Sequence, residues 1–139
     1  MRGLCFALFL ALVVAGAWAQ RTVLRLQATA YTSSVRETDR TPFVTATGMR
    51  TRLGVLAVSP DLLKVLPDGT EVRLRDLGSV QGWGRGQFAY LFQDRVFVVA
   101  DVMHSRMRRK VDVWLPDRAT ALRFGLRWVE LEVVAYPKR

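Results

Sequence analysis

The amino-acid sequence predicts a single, mainly β domain. After the first twenty residues, most apolar segments are short and rich in Val, Leu, Phe and Thr, which suits strands better than helices. Turn residues such as Gly, Pro and Asp separate these segments at close intervals. No linker, internal repeat or low-complexity tract divides the chain. We therefore expect one β-rich domain with seven or eight short strands and one helix.

The elements of the first half follow from alternation and turn signals. The first strand is predicted from Thr22 to about Thr32, where apolar and polar residues alternate in TVLRLQATAYT. Residues 33–42 are polar and end at a proline, which is typical of an exposed loop. Further strands are expected in VTATG (44–48), LGVLAVSP (53–60) and DGTEVRLRDLG (68–78), with a helical turn or an extended edge in DLLKVL (61–66).

The second half begins with a glycine-rich tip, SVQGWGRGQ (79–87). FAYLFQDRVFVVAD (88–101) is expected to form two strands, followed by strands in VDVWL (111–115) and RWVELEVVAY (127–136). PDRATALRFG (116–125) is the one predicted helix. It has Asp117 at a position that suits the N-cap and Gly125 at its end.

The N-terminus has the pattern of a cleaved secretory signal peptide over residues 1–19. Arg2 precedes an apolar run that is short for a membrane span, and Ala17-Trp18-Ala19 supplies small residues at the cleavage site. The single cysteine, Cys5, would leave with this segment, so the exported domain would be stabilised by its core and not by disulfides. We expect residues 20–139 to form one domain located in the periplasm, in the cell envelope or outside the cell, with no stable membrane span.

The charge of the chain is strongly basic, with a net value of +9. Inside a cell this charge would suggest a nucleic acid as partner. Export argues against nucleic acid and favours the polyanions of the cell envelope, such as wall glycan with its peptide carboxylates. The alternative is that the arginines serve solubility or thermostability.

Two aspartates flank a basic run in ADVMHSRMRRKVDVW (100–114). Asp101 ends a predicted strand, whereas Asp112 lies between Val111 and Val113 and should point away from the face that the valines use. Burial beside a cleft would favour the proton-donating form of such a carboxyl group, and nearby cations would favour the ionised form. The pair suits a two-carboxylate glycosidase. It equally suits a mechanism in which one carboxyl group acts first as acid and then as base, and a hydroxyl group of the sugar itself is the nucleophile.

Other candidate residues each have a structural alternative. His104 would suit a base or a metal ligand, but without a second His or a Cys in the exported domain we expect a surface histidine, no metal and no cofactor. Trp83 between glycines is the tryptophan best placed to stack on sugars and not to join the core. The remaining aspartates are expected at turns, caps or strand ends without a further role: Asp61, Asp68, Asp76, Asp94 and Asp117.

Three segments, in order, resemble the 3D (Asp-Asp-Asp) domain family. They are ATAYTSS…TDRTPFVTATG, LGVLAVSPDLL…LPDGTEVRL, and VFVVADVMHSRMRRKVDVWLPDRATALRFGLRWVELEVV. The resemblance spans about Leu26 to Val134, and the family is similar to the C-terminal domain of membrane-bound lytic transglycosylase A and to rare lipoprotein A. It implies a six-stranded double-psi β-barrel with one short C-terminal helix and surface loops.

The resemblance also implies a site. The three family aspartates fall on Asp39, Asp101 and Asp112; Asp112 would be the acid/base and Asp101 would assist or orient it. Asp39 and the threonines Thr45 and Thr47 would lie toward the same cleft and contact the substrate. The implied reaction is cleavage of the MurNAc–GlcNAc bond of peptidoglycan, by transglycosylation or hydrolysis, without a metal or cofactor.

One segment departs from the family pattern: many members have a glycine-rich D-T-G-G-A-I-K-G between the two aspartates, where this chain has DVMHSRMRRK. An alternative function is therefore a non-catalytic peptidoglycan-binding module, with Arg106 and Arg108 against peptide carboxylates and Trp83 or Tyr31 against sugars. A third is a structural domain whose basic loop pairs with its own acids. In the first two cases we expect a monomer whose partner is peptidoglycan glycan strands.

Overall fold

The structure is a computed structural model that describes residues 21–33 and 44–138. The predicted signal peptide and Asp39 lie outside the described residues. Six strands form one closed barrel in the described part of the chain. Their bounds are β1 Val23–Tyr31, β2 Val55–Val58, β3 Glu71–Ser79, β4 Phe97–Val102, β5 Lys110–Trp114 and β6 Arg127–Ala135.

The strands follow one another around the barrel in the order β1-β5-β2-β4-β3-β6, and β6 pairs back with β1. The pairs β1–β5 and β2–β4 are parallel, and the other pairs are antiparallel. Each of the six strands pairs with two neighbours, although β3 pairs with β4 only at Glu71 and Val72. The prediction of a mainly β domain is confirmed. Within residues 21–33 and 44–138 the strand number is six, as the resemblance implied, and lower than the seven or eight that the sequence pattern indicated.

Alternation along each strand fills the interior of the barrel. In β3, the side chains of Glu71, Arg73 and Arg75 are exposed, whereas Val72 and Leu74 between them are buried. This two-residue period is what a strand with one buried face requires. The strand residues that share the core are Leu26, Ala28, Leu56, Val58, Val72, Leu74, Phe97, Val99, Val111, Val113, Val129, Leu131 and Val133.

In the described ranges, three short helical segments lie between the strands: a 3-10 helix Pro60–Lys64, α1 Ala89–Phe92 and α2 Arg118–Phe124. The predicted capping of α2 is confirmed, because an oxygen of Asp117 accepts from the Thr120 N–H at 2.8 Å and Gly125 follows with a φ of 57°. Glycine adopts this left-handed conformation without steric cost. The 3-10 helix agrees with the helical turn expected there.

Two predicted strands are wrong. The segment that contains α1 forms a helical turn because Phe88 and Phe92, four positions apart, both pack on Phe124, with ring centroids 5.1 and 6.0 Å away. The VTATG segment is a turn, flanked by a single bridge between Val44 and Arg50. In both places the apolar or β-branched composition suggested a strand, and packing or local hydrogen bonds decided otherwise.

A buried ion pair joins β3 to β6, and it corrects the expectation that Asp76 has no further role. Nη1 of Arg127 donates to both carboxylate oxygens of Asp76, at 2.8 and 2.7 Å, and both side chains are almost fully buried. The backbone N–H groups of Gly78 and Phe88 also donate to this carboxylate, at 2.8 and 2.9 Å. The Arg127 Nε donates to the Phe124 carbonyl at 2.9 Å. The pair therefore holds the glycine-rich tip, α1 and α2 against the barrel.

Asp76→Asn is expected to lower the free energy of unfolding by about 3 kcal/mol, because it leaves the Arg127 guanidinium buried without its counter-charge. Urea denaturation would measure this loss. The matched control is Glu130→Gln, which breaks the exposed 3.2 Å pair with Arg75 and should cost less than about 1 kcal/mol. Equal losses in the two variants would contradict a structural role for the buried pair.

Candidate functional site

Strand pairing places Asp101 and Asp112, the two aspartates that flank the basic run, in one row. Thr29 of β1 pairs with Asp112 of β5, Asp112 pairs with Ala57 of β2, and Ala57 pairs with Asp101 of β4. Side chains at directly paired positions lie side by side on one face of a sheet. Two strand spacings of about 4.8 Å separate the Cα atoms of the aspartates by about 10 Å. Between them, the row contains only the methyl group of Ala57.

The side chains of this row, Thr29–Asp112–Ala57–Asp101, point away from the barrel interior; Ala57 is only 4% exposed, and the other three residues are half-buried. Val111 and Val113 are fully buried in the core, so Asp112 between them faces the other way. The same alternation in β2 sends Leu56 and Val58 inward. The predicted orientation of Asp112 away from the valines is confirmed.

A β-bulge at Ala100 brings Asp101 into the row. Val99 is opposite Leu56 and Asp101 is opposite Ala57, so β4 has one residue more than β2 at this point. Val99 points into the core, and strict alternation would turn Asp101 inward as well. The extra residue reverses this direction, which is a common use of a bulge next to a functional site.

The turn that contains Thr45 and Thr47 is hydrogen-bonded to this bulge. Oγ1 of Thr47 donates to the Ala100 carbonyl at 2.9 Å, and the Thr47 N–H reaches the same oxygen at 3.4 Å. The Thr45 hydroxyl lies 3.1 Å from that of Thr47 and accepts from the Met49 N–H at 3.1 Å. Both threonines were predicted to contact substrate. In the structure they hold the turn and the bulge together, beside the row.

Asp101 is held as an acceptor by three donors. Its Oδ1 accepts from the backbone N–H groups of Ala46 and Val102, both at 3.0 Å. Its Oδ2 accepts from the hydroxyl of Tyr31 at 3.2 Å. Backbone N–H groups can only donate, so these bonds hold the side chain of Asp101 as an acceptor in a fixed position.

Asp112 also has a side-chain hydroxyl as a partner. Its Oδ1 accepts from the hydroxyl of Thr29 at 3.0 Å. A hydroxyl can turn to donate or to accept, and it therefore tolerates both the ionised and the protonated carboxyl group. Sequence reasoning missed Thr29. The signal was available, because Thr29 and Tyr31 lie two positions apart in β1 and so share a face.

Tyr31 links the two carboxyl groups electrostatically. Burial raises the pKa of its phenol most, the charge of Asp101 and the hydrogen bond to Asp101 raise it further, and the charge of Asp112 adds to the same effect. The hydroxyl is therefore a proton-bearing donor at neutral pH. Tyr31, predicted to contact sugar, lies beside the row.

The basic segment, residues 103–109, connects β4 to β5 past the end of β2. The Arg109 N–H donates to the Asp61 carboxylate at 3.1 Å, and the Lys110 N–H donates to the Ser59 hydroxyl at 3.1 Å. A hydrogen bond from Ser59 is the main cause that lowers the pKa of Asp61, and the Arg109 N–H and the charge of Arg108 act in the same direction. Asp61, expected to have no role, thus anchors this loop.

The two arginines predicted to contact substrate differ in their contacts. The Arg108 guanidinium donates to the carbonyls of Ser105 and Met107, at 2.7 and 2.8 Å, and so folds back on its own loop. Arg106 is exposed, and its backbone N–H donates to Nδ1 of His104 at 3.2 Å. His104 is exposed, as predicted.

Trp83 does not lie in the aspartate row. It is 71% exposed, in the loop after β3, and β3 is not one of the four strands that form the row. Its exposure agrees with the prediction that it stays out of the core. Residues 21–33 and 44–138 contain no group of three or more His, Cys, Asp or Glu side chains that could hold a metal ion. In the same ranges, no helix is long and apolar enough to cross a membrane.

The chain matches no protein-family model and no curated protein sequence. Two solved structures are similar to it. One is a variant of the E. coli lytic transglycosylase MltA in an apo form, with 16% identity and a TM-score of 0.48 over 73% of this chain and 30% of that one. The other is a variant of an expansin from Clavibacter michiganensis in complex with cellohexaose, with 16% identity and a TM-score of 0.42 over 85% of this chain and 53% of that one. The chain thus spans about a third and about half of their lengths.

Replacing Tyr31 by phenylalanine is expected to leave the tyrosinate absorbance between about pH 9 and pH 11 unchanged, since the raised pKa keeps the Tyr31 phenol protonated through this range. A spectrophotometric titration of the wild type and of Tyr31→Phe would measure it. If the absorbance step of Tyr31→Phe is smaller than that of the wild type by the share of one tyrosine, the pKa of Tyr31 is not raised as described.

Proposed function

We propose that this chain is an exported, peptidoglycan-active protein of the 3D family with a double-psi β-barrel fold, which cleaves the MurNAc–GlcNAc bond with Asp112 as acid and base. The observation that carries the proposal is the row in which Asp112 and Asp101 flank Ala57 on the outer face. The closed order of six strands, with two parallel pairs, supports the fold assignment.

The hydrogen bonds favour different roles for the two carboxyl groups. Asp101 accepts from two backbone N–H groups and from Tyr31, so it remains an acceptor and positions the phenol. Asp112 accepts from the Thr29 hydroxyl, which accommodates a change of protonation. Partners that can only donate, such as the two backbone N–H groups at Asp101, disfavour a residue that gives up a proton and takes one back. Asp112 is therefore the catalytic residue of this proposal, and Asp101 is a positioning residue.

The proposed reaction uses a single carboxyl group twice. Protonated Asp112 gives its proton to the glycosidic oxygen as the bond from that oxygen to C1 of MurNAc breaks. The resulting carboxylate then takes the proton from the C6 hydroxyl of the same MurNAc, whose oxygen bonds to C1. The products are a 1,6-anhydro end and a free hydroxyl on the leaving sugar. Water in place of the C6 hydroxyl would give hydrolysis instead.

A second candidate function is a non-catalytic peptidoglycan-binding module. The observation that favours it is the fixed basic loop, anchored by the bond from the Arg109 N–H to Asp61 and by those between Lys110 and Ser59. A fixed loop presents exposed cations such as Arg106 to peptide carboxylates at little ordering cost. Binding of this kind weakens as salt rises.

Asp112→Asn is expected to lower the release of anhydro-muropeptides from wall sacculi by at least about 100-fold, because asparagine cannot donate and recover the proton. Mass spectrometry of the soluble products would measure it. The matched control is Asp68→Asn, at an exposed turn position, which should release products at the wild-type rate.

Unchanged release by Asp112→Asn would refute the proposed acid/base. Products with ordinary reducing ends would identify a hydrolase. If the wild type releases nothing but sediments with sacculi in a salt-sensitive way, the binding module is the function.

A further inference from the structure

A depression on the described surface lies away from the aspartate row. It has a volume of about 580 Å³ and is bordered by the outer faces of β3 and β6, by α1 and by the segment before α1. None of its lining residues belongs to β1, β2, β4 or β5. The proposed function gives this depression no role.

Each carboxylate that lines the depression has an arginine partner. Asp76 pairs with Arg127 at 2.7 Å, Glu130 pairs with Arg75 at 3.2 Å, and Glu132 pairs with Arg21 at 2.8 Å. Their negative charges are therefore locally offset, and they repel an incoming anion only weakly.

Two further arginines line the same depression, in excess over its carboxylates. Arg73 projects from the outer face of β3, opposite Glu132 of β6, and Arg85 comes from the segment before α1. Both are exposed, and within residues 21–33 and 44–138 neither has an ion-pair partner. Guanidinium groups that face a concave surface without counter-ions favour anionic ligands.

The depression continues along β6. A second one of about 370 Å³ shares Arg73 and Glu132 with the first and extends to Arg21 and Val134. The half-buried Ala89 supplies apolar surface in the first depression. An elongated ligand therefore fits this groove better than a small ion does.

We propose that the outer groove of β3 and β6 binds a carboxylate or phosphate group of an elongated ligand, through the guanidinium groups of Arg73 and Arg85. Arginine presents a planar fork of donors that matches both oxyanions, and such charge-assisted bonds are stronger than those between neutral groups. This binding site is independent of the proposed function, because it shares no residue with the aspartate row.

The rival explanation is attraction by overall charge, since the chain has a net charge of +9. The test compares two double variants that each remove two exposed cations. Arg73→Gln with Arg85→Gln changes the groove. Lys64→Gln with Arg123→Gln changes the 3-10 helix and α2, outside both proposed sites.

Short-chain polyphosphate and oligogalacturonate, the first with phosphates and the second with carboxylates, would be titrated separately into the full domain by calorimetry at low salt. We expect the wild type to bind at least one probe, the groove variant to bind it at least about tenfold more weakly, and the charge-matched variant to bind within about twofold of the wild type. The probe that binds identifies the oxyanion, and binding of both identifies the chemistry they share.

Three results would overturn the proposal: neither probe binds the wild type, the groove variant binds as tightly as the wild type, or both double variants lose affinity equally. Circular dichroism of each variant would verify that the barrel is intact. Because sacculus cleavage is measured separately, failure here leaves the proposed role of Asp112 standing, and the reverse also holds.

Discussion

Closure of the barrel through β1 is the constraint on which the rest of the structure depends. β1 pairs with β5 on one side and with β6 on the other, so the first strand of the described chain is bonded to the last. The resulting order inserts β2 between β4 and β5, which are consecutive in the chain. This insertion sets Ala57 between Asp101 and Asp112 and fixes the distance between them. The site is thus a consequence of topology, carried on rigid strands and not on a loop.

The bulge at Ala100 and the choice of hydrogen-bond partners then give the two aspartates different environments. The bulge turns Asp101 outward, and the turn at Thr47 satisfies the carbonyl that the bulge exposes. Two backbone N–H groups, which cannot accept, donate to Asp101 in addition to the Tyr31 hydroxyl, whereas the Thr29 hydroxyl, which can do both, donates to Asp112. Two carboxylic acids of the same type therefore differ in what they can do, for reasons found in their neighbours.

Local pattern predicted some of this fold and site, and long-range pairing decided the rest. The alternation of Val111 and Val113 predicted the direction of Asp112, and Asp117 with Gly125 predicted α2. Nothing local indicates that Asp76 pairs with Arg127, 51 positions away, and the residues of α1 form a helix because Phe124 packs on them. No local pattern indicates the bulge at Ala100 either, because a bulge is defined by how β4 pairs with β2.

The proposed function requires the row Thr29–Asp112–Ala57–Asp101 to hold the glycan bond that is cleaved. The most direct measurement is a crystal structure of the Asp112→Asn variant with a bound GlcNAc–MurNAc tetrasaccharide. We expect the saccharide to cross the outer face over Ala57, with a glycosidic oxygen about 3 Å from the side chain at position 112. A saccharide bound elsewhere on the barrel, with the row unoccupied, would contradict it.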